Sequence, residues 1–219
     1  MAEINRIVAL GCSFTFGQYL DTKENVGMGD PPRPGKLCWP NQVAAALGVD
    51  CVNLAWPGSG CRLTAFQCLQ HAWQPGDHAV ILWPNIHRHW FADVADPQWI
   101  TNNWCPNSPH YRRWWKRGYS NDNDREVSGY MNKTLVKLCL EHEGVTSTQF
   151  TYDWHVVQNP QFQTPWIPVM PRWFDKNHKY YFPDLALDRE HMGPRGHTLI
   201  AAVYIKEILA SLKGPRKNF

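Results

Sequence analysis

Apolar residues fall in short uninterrupted blocks early in the chain and at helical spacing late in it. Ile7 to Leu10 form an apolar run that meets Gly11, the pattern of a buried strand followed by a turn. Asp21 to Pro40 hold four prolines and three glycines and read as a loop. Pro40, at an early helical position, opens a helix over Asn41 to Leu47 that Gly48 stops. Cys51 to Ala55 predict a second strand that closes at Pro57 and Gly58. Arg62 to Trp73 carry Leu63, Phe66 and Leu69 at helical spacing, and a turn at Pro75-Gly76 leads to a third strand, His78 to Trp83, ended by Pro84. Strand, helix, strand, helix, strand is the order of an α/β domain whose parallel sheet is wrapped by helices.

The pattern weakens after that. Phe91 to Arg125 show neither period and read as loop with one short helix. Val127, Met131, Leu135 and Leu138 step by four, four and three, which predicts an amphipathic helix over Glu126 to Glu143 with Gly144 as its stop. Thr148 to Trp154 read as a further strand. Asn159 to Pro183 pack five prolines among Trp166, Trp173, Tyr180 and Tyr181, an extended segment that must lie over something else. Ala201, Ile205, Ile208 and Leu212 then mark a helix that ends before Gly214-Pro215. With no internal repeat and no domain boundary, residues 1–219 read as a single domain with an insertion or lid at about 90–180.

Composition narrows the class. A length of 219 residues suits one large domain, and 43% hydrophobic residues exclude a disordered chain. No apolar run approaches the roughly 18 residues that span a bilayer, so a soluble globular protein is expected. A net charge of +3, from 22 basic and 19 acidic residues, is too weak a field for a dedicated DNA-binding domain. The seven cysteines are odd in number, contain no CxxC pair, and follow an N-terminus without signal-peptide character, so free thiols and a cytoplasmic location are expected. Nine of the 12 tryptophans fall between Trp83 and Trp173.

In an open α/β sheet ligands bind outside the carboxyl ends of the strands, which makes the residues after each strand the candidates for chemistry. Gly11-Cys12-Ser13-Phe14-Thr15 places a hydroxyl nucleophile at the first such end. Ala55-Trp56-Pro57-Gly58-Ser59-Gly60 offers a glycine where a backbone N–H can approach a ligand, and Trp83-Pro84-Asn85 offers an amide able to donate to an oxyanion. Each alone is ordinary turn chemistry. Asp188-Arg189-Glu190-His191 adds a carboxylate three residues before an imidazole, close enough to orient the ring. The plainer alternative is that Asp188 caps a turn and His191 begins the last helix.

Taken in order, Gly11-Cys12-Ser13-Phe14-Thr15-Phe16-Gly17, Asn53-Leu54-Ala55-Trp56-Pro57-Gly58, Trp83-Pro84-Asn85 and the run from Asp188 to His197 resemble the four sequence blocks of the SGNH hydrolases, or GDSL esterases and lipases. The resemblance covers Ile7 to about Trp90 and again Asp184 to Leu212. It implies a three-layer α/β/α, flavodoxin-like parallel sheet. It also implies Ser13 as nucleophile, His191 as base oriented by Asp188, and an oxyanion hole formed by the N–H groups of Ser13 and Gly58 with the Asn85 amide. The chain departs from the pattern at Cys12, where the family often has Asp, and at Phe14, where Leu is common. In the third block Gly-x-Asn-Asp becomes Trp83-Pro84-Asn85-Ile86, so that Asn85 alone survives. Thr15 in place of glycine argues against the Gly-x-Ser-x-Gly elbow of the other large α/β-hydrolase family.

Two further signals compete. His87-Arg88-His89 could pair on a metal, but two histidines one residue apart on an extended segment face opposite ways and no third ligand clusters near them, so no metal and no cofactor are expected. Tyr111 to Arg117 interleave basic and aromatic residues as nucleic-acid-binding loops do, yet a packed surface loop is the favoured reading because the rest of the chain lacks a basic footprint. The tryptophan-rich middle fits extra core, a sugar-binding surface or an oligomer interface. The expected function is a serine esterase acting on a small-molecule or glycan ester, a carbohydrate O-acyl ester such as an O-acetyl ester above all. Phe14, Trp56, Trp83, His87 and Trp90 are candidate substrate contacts. The alternatives are a catalytically inactive glycan-binding or structural module of the same fold, and a nucleic-acid-associated protein.

Overall fold

The computed structural model describes residues 3–21, 33–84, 89–92, 99–102, 122–151, 184–189 and 191–213, with the backbone alone for 89–92, 99–102 and 122–126. The elements are β1 (Arg6–Gly11), α1 (Ser13–Phe16), α2 (Trp39–Leu47), β2 (Asp50–Asn53), α3 (Cys61–Gln70), β3 (Asp77–Trp83), β4 (His89–Ala92), β5 (Trp99–Asn102), α4 (Asp122–His142), β6 (Thr146–Thr151) and α5 (Pro194–Leu212). Four strands form one parallel sheet in the order β2-β1-β3-β6.

Strands buried on both faces read as continuous apolar runs, and β1 and β3 do so. Ile7 to Leu10 and Ala79 to Trp83 are all 0% exposed. Their side chains divide by the two-residue period of a strand. Ile7, Ala9, Val80 and Leu82 pack with Trp39, Val43, Tyr204 and Ile208 of α2 and α5, whereas Leu10, Ala79, Ile81 and Trp83 pack with Cys61, Ala65, Val136 and Leu140 of α3 and α4. Helices on both faces of a parallel sheet make the three-layer α/β/α architecture that the sequence predicts. Among the described residues no helix is long and apolar enough to cross a membrane. The six cysteines there are free thiols, and burial pushes Cys38 up to about 11 and Cys51 up to about 12.

Several boundaries move for identifiable reasons. The second strand stops at Asn53 rather than Ala55 because the Asn53 side chain takes over the backbone's bonding: its Oδ1 accepts from the Ala55 N–H (3.1 Å) and its amide donates to the Thr15 carbonyl (2.9 Å). α3 ends at Gln70, short of Trp73, whose indole N–H folds back to donate to the Cys68 carbonyl at 3.0 Å. Among the described residues of Phe91 to Arg125, read as loop with a short helix, β5 pairs antiparallel with β4, which starts at His89 just ahead of that segment. Two strands of four residues are too short to display a period.

The largest correction concerns α4, whose predicted apolar stripe faces outward: Val127, Met131, Leu135 and Leu138 are exposed, Met131 at 64%. The inner face is Gly129, Lys133, Val136 and Leu140. Lys133 is 1% exposed, and its ammonium lies 5.9 Å from the centre of the Trp83 ring, a cation over an indole face. A glycine and a lysine made the packing face look polar.

Two buried histidines tie neighbouring elements together within their layers. His78 bridges β3 to β6 through Thr146 Oγ1 (2.7 Å) and Thr148 Oγ1 (2.9 Å). His197 Nδ1 accepts the Trp39 N–H at 3.1 Å and so joins α5 to α2. Burial lowers each to about 4, against about 6.5 for an unfolded imidazole. The unfolded chain therefore binds these protons first as pH falls, and stability is lost between about pH 6.5 and 4. Urea titrations at pH 7 and pH 4 should differ by on the order of 3 kcal/mol for each histidine. His78→Gln should remove its share of that slope, and an unchanged slope in this variant would assign the acid sensitivity to other groups.

Candidate active site

β1 delivers Ser13 to the carboxyl edge of the sheet through a turn that requires glycine. At Gly11, φ is +151°, and a Cβ there would stand 2.3 Å from Thr15 Oγ1 and 2.8 Å from the Leu82 carbonyl oxygen. Cys12 is extended, and its carbonyl accepts from the N–H groups of Thr15 and Phe16, both at 2.9 Å, which starts the short helix α1 at Ser13. Gly17, left-handed, ends that helix by donating to the Ser13 carbonyl. Ser13 itself is 3% exposed.

The second turn is fastened to the first strand by backbone bonds. Leu54 N–H donates to the Ala9 carbonyl (2.8 Å) and Trp56 N–H to the Gly11 carbonyl (3.3 Å), so the block from Asn53 to Gly58 lies along the end of β1. A turn closed by Ser59 N–H on the Trp56 carbonyl (3.0 Å) holds Gly58 at φ +79°, a conformation that favours glycine. Gly58 is buried, whereas Trp56 is 39% exposed at the rim.

The Asp188 to His191 segment belongs to a closed loop. Leu185 and Met192 form an antiparallel bridge, Ala186 N–H donates to the His191 carbonyl (2.8 Å), and Gly193 N–H donates to the Asp184 carbonyl (3.1 Å). Asp184 then caps α5, its carboxylate accepting from the N–H groups of Arg195 (2.8 Å) and Gly196 (2.9 Å). Inside the loop the Asp188 carboxylate takes two bonds from one residue. Oδ1 accepts the His191 backbone N–H at 3.0 Å, and Oδ2 lies 2.5 Å from His191 Nδ1. With Nδ1 the donor in that bond, Nε2 is left as the basic nitrogen. α5 starts at Pro194, so His191 stands before the helix rather than in its first turn.

The loop docks on the turn that carries Ser13. Leu187 N–H donates to the Tyr19 carbonyl at 3.1 Å, Phe14 meets the His191 ring edge-on at 5.9 Å between centroids, and the Tyr19 ring lies against it at 5.8 Å. The first and fourth sequence blocks are thus in contact through the residue next to Ser13. Tyr19 and Asp184 were not singled out by the sequence. Asp184 caps a helix from ten residues upstream of it, and nothing near Tyr19 in the chain marks it.

Of the candidate substrate contacts, Phe14 is half-buried against His191 and Trp56 is exposed. Trp83 is a correction: at the end of β3 it is fully buried beneath α4, with its indole N–H donating to Gln149 Oε1 at 3.0 Å, so it has a packing position. Asn85, His87 and the segment Tyr111 to Arg117 lie outside the described residues, and of Trp90 only the backbone in β4 is described. Leu82 pairs with Gly11 across the sheet, which brings the end of β3 beside the Ser13 turn.

No protein-family model and no curated protein matches the sequence. Solved structures do. A carbohydrate esterase, described as having an active site with divergent catalytic and non-catalytic binding functions, superposes with a TM-score of 0.56 at 13% identity over 96% of this chain and 66% of its own. A G-D-S-L family protein from Desulfitobacterium hafniense gives 0.53 at 13% identity, over 92% of this chain and 98% of its own. An acetyl xylan esterase from the rumen bacterium Butyrivibrio proteoclasticus gives 0.53 at 11% identity, over 97% and 65%. The chain therefore spans just under two thirds of the two carbohydrate esterases and nearly all of the G-D-S-L protein. With four parallel strands in the order β2-β1-β3-β6 and helices on both faces, this chain has the three-layer α/β/α fold of the SGNH hydrolases.

Proposed function

We propose that this protein is a serine esterase that removes the acyl group, an O-acetyl group above all, from a carbohydrate ester. The observation that carries the reading is the His191 imidazole held at Nδ1 by Asp188, in a loop that docks on the turn bearing Ser13. A carboxylate, an imidazole and a hydroxyl assigned in that order have the roles of a catalytic triad. Ser13 Oγ attacks the ester carbonyl as its proton passes to His191 Nε2. The C–O bond to the alcohol then breaks, and His191 returns the proton to the departing sugar oxygen. Water, deprotonated by the same nitrogen, cleaves the acyl-serine and regenerates Ser13. Asp188 stays ionised and stabilises the imidazolium. The tetrahedral oxyanion is assigned to the Ser13 and Gly58 N–H groups and the Asn85 amide.

The sugar assignment rests on the exposed Trp56 ring at the rim, a flat apolar surface of the kind that stacks on sugar faces, and on the carbohydrate esterases among the structures of the same fold. A second reading keeps the fold and the glycan but not the hydrolysis. The altered third block, Trp83-Pro84-Asn85-Ile86, favours it, since Trp83 is spent on the core.

Turnover separates the two. The wild-type protein should be labelled by a fluorophosphonate at Ser13, and should release acetate from acetylated xylo-oligosaccharides. Ser13→Ala should abolish both while leaving the melting temperature unchanged. Asp188→Asn should slow turnover by up to about 10⁴-fold by favouring the wrong tautomer of His191. A wild-type protein that binds the oligosaccharide and is never labelled supports the binding module instead.

Asn85 is tested separately. As an oxyanion donor its replacement by alanine should lower kcat by roughly 10²–10³ with little change in KM, because the bond strengthens as charge develops on the oxygen. As a turn residue it should lower the melting temperature and leave kcat intact. Measuring both quantities on one preparation decides between them.

A further inference from the structure

Two non-glycine residues among those described have left-handed backbones, Tyr19 at φ +58° and Arg189 at φ +61°. A residue with a Cβ enters that region at a cost, and a bulky ring stays there when its surroundings hold it. Both outliers lie in the two loops that meet at His191. Arg189 lies two residues before His191, and Tyr19 reaches it from the other loop, with ring centroids 5.8 Å apart and planes inclined at 42°. The Tyr19 carbonyl is fixed in turn by the Leu187 N–H at 3.1 Å. The Nδ1 bond fixes one edge of the imidazole, and two rings close on the rest of it, Phe14 edge-on at 5.9 Å and Tyr19 tilted at 5.8 Å, so that the direction of Nε2 depends on them.

We propose that Tyr19 is a positioning residue: its ring, presented by a strained backbone, fixes the plane of His191 and thereby the direction in which Nε2 points. The assignment rests on His191 acting as the base. It differs from a packing role in that the strain at Tyr19 serves the site and not the fold. Glycine at this position relaxes the backbone while removing the ring, so stability and activity should move independently.

The test compares the wild type with Tyr19→Gly and Tyr19→Phe. It reads melting temperature, kcat and KM on 4-nitrophenyl acetate, and the NMR shift of the His191 Cε1 proton, assigned with His191→Gln. Tyr19→Gly should melt no lower than the wild type, lose roughly tenfold or more in kcat with KM within about twofold, and lose the ring-current shift at His191. Tyr19→Phe, which keeps the ring, should restore all three. Wild-type kcat in Tyr19→Gly, an unmoved His191 resonance, or a phenylalanine variant as slow as glycine overturns the proposal. If glycine prevents folding, Tyr19→Asn, which tolerates the left-handed region, supplies the same comparison. If the wild type hydrolyses no ester, the esterase reading fails and the resonance decides alone: a shift lost with the ring sustains the positioning of His191, and a retained shift removes it.

Discussion

The pairing of β1 with β3 is the constraint on which the rest of the molecule depends. Six residues of each strand are in parallel register, from Arg6 with Asp77 to Gly11 with Leu82, and their apolar side chains are sealed on both faces. Such a pair tolerates polar side chains poorly, since a buried group without a partner costs roughly 1–3 kcal/mol. Polar chemistry is consequently displaced to the strand ends. At the amino edge this gives the Arg6–Asp77 ion pair, whose two bonds of 2.8 and 2.7 Å hold the Asp77 carboxyl below its ordinary range against the opposing effect of burial. The carboxyl edge gives the turn at Gly11 and the short helix that begins at Ser13.

Around that edge, three loops from distant parts of the sequence are joined by two backbone bonds and one side-chain amide. Trp56 is tied to Gly11, Leu187 to Tyr19, and Asn53 reaches Thr15 with its amide. Backbone bonds survive most substitutions, which suits a site whose flanking residues, Cys12 and Phe14 among them, differ from the common pattern of the fold. Left-handed Tyr19 accepts one of these ties through its carbonyl, and left-handed Arg189 closes a turn on the Ala186 carbonyl at 3.0 Å in the loop that makes it, so local strain is set against bonds that hold the loops.

What the sequence reveals follows from how local each cause is. The framework from Ile7 to Trp83 is legible because apolar blocks are closed by Gly11, Gly48, Gly58 and Pro84, whose effects act within a residue or two. The Asp188 and His191 spacing is legible for the same reason, as their bonds join residues three apart. The end of β2 is less so, because Asn53 stops the strand by bonding to Thr15, 38 residues away. α4 defeats pattern reading differently. It carries two stripes, and the choice between them was made by α3, whose Cys61 and Ala65 accept Val136 and Leu140 and leave Met131 and Leu135 outside. Tyr19 owes its place to a loop some 170 residues later, beyond any local signal.

The strand order also bears on how the chain emerges during synthesis. α2 and α5 cover the same face of the sheet, and Trp39 stacks on Tyr204 at 4.2 Å while the Tyr204 hydroxyl donates to the Ile81 carbonyl at 2.6 Å. From Leu47 to Pro194 the ribosome must add roughly 150 residues, which at roughly 5–20 residues per second takes about 8–30 s. During that interval Ile7, Ala9, Val80 and Leu82 have half their cover, and the nascent chain presents an apolar strip to every chaperone and every neighbouring nascent chain within reach. Completion of this face of the core therefore awaits α5, and a pause in translation before it lengthens the time for which the strip stays open.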